Sequence, residues 1–409
     1  MIRWLTPTKP LRFGEFVALM ALMMASVAFS LDAMLPALPL IGQELSPDAP
    51  ARGQLVITSF VLGLGLGTLI CGPVSDAFGR KSVLLAGIAL YLAGAIMAIQ
   101  AQSIDMLLAA RFLQGIGGAA PRVVATAMVR DLYEGRAMAR VTSIIMTLFV
   151  LVPALAPAIG AGIMWVSHWR MIFVAFVVFG LVAGLWLMLR QPESLPPERR
   201  RPLSARKIGA ALVEIVSNPH VMIYVVALTF AFAPLYVWLS NLPMIFDDVY
   251  GRAASFPFWF AVTAIVAGTA SVANAKMVMR FGMRRIATLA FAWQASVSLL
   301  FLGLMMLGLP APWDFALFFA FMCAGFFSIG LTFGNLNALA LQPLGHMAGI
   351  GASVVQSIST VCAALIAVPI SLAYDGTPLP LVFGMVVCAS VALALMLFAR
   401  HISPEEAAR

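Results

Sequence analysis

Asp32 is a carboxylate set deep in a long apolar stretch, Phe29-Ser30-Leu31-Asp32-Ala33-Met34-Leu35-Pro36. A charge in hydrocarbon costs about 2.5–3.5 kcal/mol on insertion scales unless it faces a polar interior. An ionisable group at that depth therefore points to function, here proton binding coupled to transport. Arg111 and Arg122, in a later apolar stretch, carry the same cost. The first stretch starts near residue 15 and runs outward, so Asp32 lies in its outer half. The stretch holding Arg111 starts near residue 104 and runs back, so at 1.5 Å per residue the two reach similar depth. Asp32 is read as the proton carrier and Arg111 as its modulator, paired across a cavity. A cycle that alternates Asp32 between paired and desolvated settings changes its affinity for a proton. A static structural salt bridge is the alternative reading.

Arg122 follows Arg111 by eleven residues. At 100° per residue this is 20° past three full turns, so both face the same way, about 16 Å apart along the axis. No second embedded carboxylate matches it: Glu15 stands at the inner end of the first stretch, and Met24, two turns before Asp32, is apolar. A net positive site disfavours lipophilic dications and suits neutral, electron-rich or anionic solutes. The alternative for Arg122 is bonding to backbone carbonyls near Pro121, or snorkelling toward the inner loop.

These residues need membrane helices to hold them. Only 10% of the 409 residues are charged and 62% are hydrophobic, against about 25% charged in a soluble domain. Twelve apolar stretches are long enough to span, since each crossing takes about 20 residues: 15–40, 53–75, 82–101, 104–128, 141–165, 168–190, 218–245, 254–276, 284–308, 313–335, 347–371 and 379–400. The excess of 25 Lys+Arg over 17 Asp+Glu is not a nucleic-acid signal, because it is distributed by side. Twenty of the basic residues fall on the side of the N-terminus and only Arg52, Arg170 and Arg252 on the other. By the positive-inside rule both ends are cytoplasmic.

Residues 191–217, rich in charge and proline from Gln191 to Pro202, read as a cytoplasmic linker between an N-terminal six-helix bundle (1–190) and a C-terminal one (218–409). Phe78-Gly79-Arg80-Lys81 after the second stretch is echoed by Phe281-Gly282-Met283-Arg284-Arg285 after the eighth, as expected of parallel repeats with a substrate site at the midplane between them. Gly63 and Gly67 form a small-xxx-small face. Pro36, Pro39, Pro73, Pro121, Pro153 and Pro157 fall within helices, where membrane helices tolerate them. Cys71, Cys323, Cys362 and Cys388 have no CxxC spacing and read as structural thiols. His168, His220, His346 and His401 fall near helix ends and read as interfacial.

Gly72-Pro73-Val74-Ser75-Asp76-Ala77-Phe78-Gly79-Arg80-Lys81 resembles the signature loop of the major facilitator superfamily, G-x-x-x-D-x-x-G-R-[RK], at its usual place. The resemblance implies a conformational latch of Gly72, Asp76, Gly79, Arg80 and Lys81, in which Asp76 pairs with Arg80 or meets a helix N-terminus when the inner side is closed. Arg111-Phe112-Leu113-Gln114-Gly115 resembles the superfamily's R-x-x-x-G motif. Pro153-Ala154-Leu155-Ala156-Pro157-Ala158-Ile159-Gly160 is similar to the antiporter motif, with Ala156 where Gly usually precedes the Pro. Asp32-Ala33-Met34-Leu35-Pro36-Ala37-Leu38-Pro39 and Arg130-Asp131-Leu132-Tyr133 look like segments of the Bcr/CflA group.

The resemblance implies an all-α integral membrane fold of twelve helices in two pseudo-symmetric halves. It implies a monomeric proton:drug antiporter of the bacterial inner membrane whose partners are H+, a small-molecule substrate and lipid. Gln114, Tyr236, Trp238, Asn241, Asn335, Asn337 and Gln356 are expected, with Arg122, to line its substrate cavity. No cofactor, metal or nucleic-acid partner is expected. No clustered acids or histidines suggest a membrane enzyme, and no GxxxxGK[ST] loop suggests nucleotide-driven transport. The competing reading is an exporter or importer of an anionic metabolite such as a siderophore on the same fold.

Overall fold

The computed structural model describes Pro7 and residues 11–308 and 313–402, so Arg3, Lys9 and Arg409 of the charge count lie outside the described residues. Its fold is helical, with twelve helices of at least 20 residues among the described ones. The chain divides into two compact units, 1–208 and 209–409. In the first, α1 (Phe13–Asp32) is followed by a short α2 (Leu38–Leu45), then α3 (Leu55–Phe78), α4 (Arg80–Ile99), α5 (Ile104–Leu132), α6 (Gly135–Val166) and α7 (Arg170–Arg190). A short α8 (Ala205–Ser217) leads to the long helices of the second: α9 (Pro219–Met244), α10 (Phe256–Phe281), α11 (Met283–Met306), α12 (Trp313–Leu341), α13 (Ala348–Leu372) and α14 (Leu379–Ile402).

Apolar length alone marks ten segments as spans, because α12 and α13 run together as Trp313–Leu372 and α5 is not among them. Arg111, Arg122 and Gln114 dilute the apolarity of α5, yet it is 29 residues long and its Arg111, Gln114 and glycine faces are buried. It is an interior helix.

Each unit repeats one packing scheme. In the first, α1 packs on α5, α6 and α7, α3 on α5, and α4 on α5 and α7. In the second, α9 packs on α12, α13 and α14, α10 on α12, and α11 on α12 and α14. The Phe-Gly echo is the visible end of this repeat: Gly79 (φ 97°) and Gly282 (φ 77°) both turn the chain between paired helices in a backbone region that disfavours a β-carbon.

Around α5 the helices meet backbone to backbone. A β-carbon on Gly63 would lie 2.1 Å from the Phe112 carbonyl oxygen, and one on Gly115 2.0 Å from that of Phe60. Small residues give close approach in lipid, where dispersion and weak polar contacts replace the hydrophobic drive between helices.

Two departures from the sequence expectation have plain causes. The first span is not one helix: α1 ends at Asp32, a 3-10 turn covers Leu35–Ala37, and α2 restarts at Leu38. Pro36 and Pro39 have no N–H to continue the ladder. Residues 205–217 are not plain linker but form α8, with Ala211 and Ile215 buried and Leu212, Val213 and Val216 exposed.

Gly115→Ala forces α3 off α5 and is expected to cost about 1–3 kcal/mol of stability. Gly118→Ala, whose β-carbon meets nothing nearer than the Phe60 ring at 3.4 Å, should be tolerated. Thermal unfolding of both purified variants in detergent checks this, and equal midpoints would refute the packing argument.

Candidate functional site

The break in α1 exposes backbone to the bundle interior. Phe29 still accepts from the Ala33 N–H (3.1 Å), but Ser30 lies in the last turn, where carbonyls lack intrahelical donors. Arg111, fully buried on α5, supplies the donor: Nη2 reaches the Ser30 carbonyl oxygen at 2.9 Å. Its Nη1 donates to Gln114 Oε1 (2.7 Å) and its Nε to the Val56 carbonyl oxygen (3.4 Å), so one guanidinium ties α1 to α3 and α5. The cation stands at the negative end of α1 and lies 4.4 Å above the Phe60 ring. Ser30 and Tyr91 share a hydroxyl–hydroxyl bond of 2.5 Å, which brings α4 to the same place.

Asp32, 5% exposed, is not Arg111's partner. Among the described residues, no hydrogen bond or ion pair to its carboxyl is found. The expected pairing is therefore absent from this structure: the three donors of Arg111 seen to bond go to the Ser30 and Val56 carbonyl oxygens and to Gln114 Oε1. An ionised carboxylate in that position is an uncompensated buried charge facing the negative end of a helix.

The antiporter-like segment comes to the same break. A β-carbon on Gly160 would lie 2.0 Å from the Ala33 carbonyl oxygen, so α6 rests its bare backbone on the residue after Asp32. Pro153 is half-buried and Pro157 buried, and α6 runs unbroken through both.

At the far end of α3 the latch residues make one polar cluster. Asp76 Oδ1 meets Arg80 Nη1 at 2.5 Å, Arg80 Nε meets Asp131 Oδ2 at 2.9 Å, and Nη1 also donates to Ser75 Oγ. Gly72 lies a turn before Asp76 within α3. Glu193, from the segment after α7, accepts from the backbone N–H groups of Arg80 (2.9 Å) and Lys81 (3.1 Å), capping α4 with a carboxylate. Lys81 Nζ donates to the Met188 carbonyl oxygen near the end of α7 (2.7 Å). Sequence reasoning missed Glu193 because nothing local links it to a loop 112 residues earlier; its only signal was an acid directly after a helix.

The expected cavity residues separate. Gln114 belongs to the Arg111 network. Arg122 is half-buried on α5, and Asn337 and Gln356 are half-buried on α12 and α13. Asn241 and Asn335 are buried and act as ties: Asn241 Nδ2 donates to Ser371 Oγ (3.1 Å), linking α9 to α13, and Asn335 Nδ2 donates to Asn274 Oδ1 (2.7 Å), linking α12 to α10. Tyr236 stacks on Phe232, with ring centroids 6.1 Å apart. Trp238 is enclosed by Phe318, Phe321 and Phe326. His168 pairs with Glu44 (3.1 Å) beside Arg170, and His346 with Glu214 (2.9 Å). The side chain of His401 lies outside the described residues.

Residues 20–367 match the family model of the Major Facilitator Superfamily. The chain belongs to that superfamily. It is 28% identical to a bicyclomycin resistance protein homolog of Haemophilus influenzae over 94% of this chain and 95% of the relative. It is 26% identical to the multidrug resistance protein MdtL of Salmonella heidelberg over 90% of each. The solved structure of a D-xylose-proton symporter superposes with a TM-score of 0.71 at 14% identity, covering 93% of this chain and 97% of that one, and shares the fold. The protein is a multi-pass membrane transporter, not an enzyme, and the resemblance to the Bcr/CflA group read from α1 agrees with the bicyclomycin resistance relative.

Glu193→Ala removes the carboxylate that accepts from both backbone N–H groups at the start of α4 and is expected to cost about 1 kcal/mol. Glu193→Gln retains an acceptor without the charge and should fall between. Midpoints of thermal unfolding at neutral pH read this directly, and a Glu193→Ala protein as stable as the parent would contradict the cap.

Proposed function

We propose that this transporter exports small drugs or metabolites across the bacterial inner membrane in exchange for protons, as a monomer with both ends cytoplasmic. The observation that carries the reading is Asp32: a carboxyl buried without a partner, at the one break in the first span, between the Arg111 network and the Gly160 face. Taking up a proton removes the uncompensated charge there, and releasing it restores that charge. A group whose burial depends so strongly on its proton favours different surroundings in its two states. That difference is what alternating access requires to link proton movement to solute movement.

Arg111 supports the cycle by holding the end of α1. One of its donors holds the Ser30 carbonyl two residues before the carboxyl while the other two anchor the guanidinium to Gln114 and Val56, so Asp32 changes protonation on a stationary support. Resistance proteins among the relatives support export as the direction, as does the antiporter-like segment.

Asp32→Asn keeps size and hydrogen bonding but cannot exchange a proton. In proteoliposomes, ΔpH-driven transport should fall at least about tenfold with the protein still folded, since the group supplies the coupling itself. Undiminished proton-driven movement would remove Asp32 from this role. Arg111→Lys, a point charge without the planar fork, should retain the fold less well and transport more slowly; parental melting and rate would sink the clamp.

A further inference from the structure

The second unit contains a pocket that joins Trp238, expected from the sequence in a substrate cavity, to Gln294, which no motif singles out. Trp238 on α9 is fully buried, yet its indole Nε1–H has no acceptor. Gln294 on α11 is 5% exposed; its Nε2 donates to Ser298 Oγ at 3.1 Å and its Oε1 has no donor. Both side chains line one pocket, walled by Phe230, Phe291 and the bare backbone of Gly325. Its hydroxyls are committed elsewhere: Ser328 Oγ donates to the Ala290 carbonyl oxygen and Thr332 Oγ1 to that of Ser328. One buried donor and one buried acceptor are thus left facing a shared space, and each costs about 1–3 kcal/mol if never satisfied.

We infer that Trp238 and Gln294 form an anchor in the C-terminal bundle for one neutral polar group of the transported solute, a hydroxyl or primary amide. Such a group accepts from the indole N–H and donates to the amide oxygen at once. The cavity, ≈ 20 Å³, exceeds the roughly 10–15 Å³ that a single water needs. It takes a functional group, with the rest of the solute remaining outside. No Asp, Glu, Lys, Arg or His lines it, so an ionic group there would be buried without a counter-charge. The inference deepens the transport reading and rests on it.

Three probes test it in a pump-deficient bacterium expressing the intact protein: thiamphenicol, florfenicol and ethidium. The first two differ only by a primary hydroxyl replaced with fluorine; the third is a cation. Trp238→Phe removes the N–H and keeps an aromatic ring. Gly325→Ala keeps both polar groups but sets a methyl 2.8 Å from Trp238 Nε1. Both variants are expected to lower thiamphenicol resistance about tenfold, the weight of one buried hydrogen bond. Florfenicol should change less, and ethidium not at all, at unaltered membrane levels. Equal losses for all three probes, an unchanged thiamphenicol response, or a parent that exports no thiamphenicol overturns the anchor. Asp32→Asn run alongside separates the two readings. If it abolishes export of every probe while Trp238→Phe discriminates among none, coupling stands and the anchor fails; the reverse pattern spares the anchor and removes Asp32.

Discussion

Inside a bilayer every backbone carbonyl must find a donor within the protein, and the break in α1 leaves the Ser30 carbonyl to Arg111. Much of the first bundle follows from that need. A buried guanidinium is tolerable only with its nitrogens filled and its faces covered, so Gln114, the Val56 carbonyl oxygen and the Phe60 ring converge on it. They converge only because α3 and α4 lie close to α5, and that closeness demands glycine where backbones touch, at Gly63 and Gly115. The prolines that break the helix, the arginine that tends the break and the glycines that admit the arginine are one requirement expressed three times.

The two bundles share a packing scheme but not a chemistry. In the first, Asp32, Arg80, Lys81 and Arg111 are buried. In the second, the buried polar residues among those described are hydroxyls and amides, with no Asp, Glu, Lys, Arg or His. A repeat holds the same helix contacts with either kind of interior, so the difference is not set by the fold. Two of those four charges, Asp32 and Arg111, lie where the first span is broken. Hydrogen bonding without charge dominates where aromatic rings enclose Trp238. Such a division suits the proposed carrier, with a proton bound by electrostatics and a neutral solute by shape and hydrogen bonds.

Long apolar runs, the Phe-Gly echo and the Gly79-Arg80-Lys81 loop made the helical membrane fold and its repeat readable in the sequence, because hydrocarbon thickness and tight turns leave few options. Arg111 and Asp32 were readable too, as charges at a depth that penalises charge. Their relation was not. Matching depth from residue counts suggested an ion pair, but depth along an axis says nothing of rotation about it, and a carbonyl left open by the end of a helix is invisible to a reading that looks for side chains. Asn241 and Asn335 mislead in the same way: an amide in an apolar helix signals a polar neighbour, and here the neighbours are Ser371 and Asn274 on adjacent helices. Glu193 could be placed only by the fold, which returns the chain after α7 to the start of α4.

That return has a mechanical consequence. A carboxylate on the first N–H groups of α4, a lysine on a late carbonyl of α7 and an arginine shared by Asp76 and Asp131 close a ring of contacts across α3, α4, α5 and α7. Helix ends held this way move as one piece, since no member can leave without exposing an unpaired charge or a bare N–H. The other end of the bundle is clamped by Glu44, which accepts from Trp169 and Arg170 after the α2 turn. Between two clamped ends, the discontinuity at Asp32 is the part of the first span with backbone ladder missing. Compliance is therefore concentrated beside the carboxyl, where a change of one proton alters the cost of burial most.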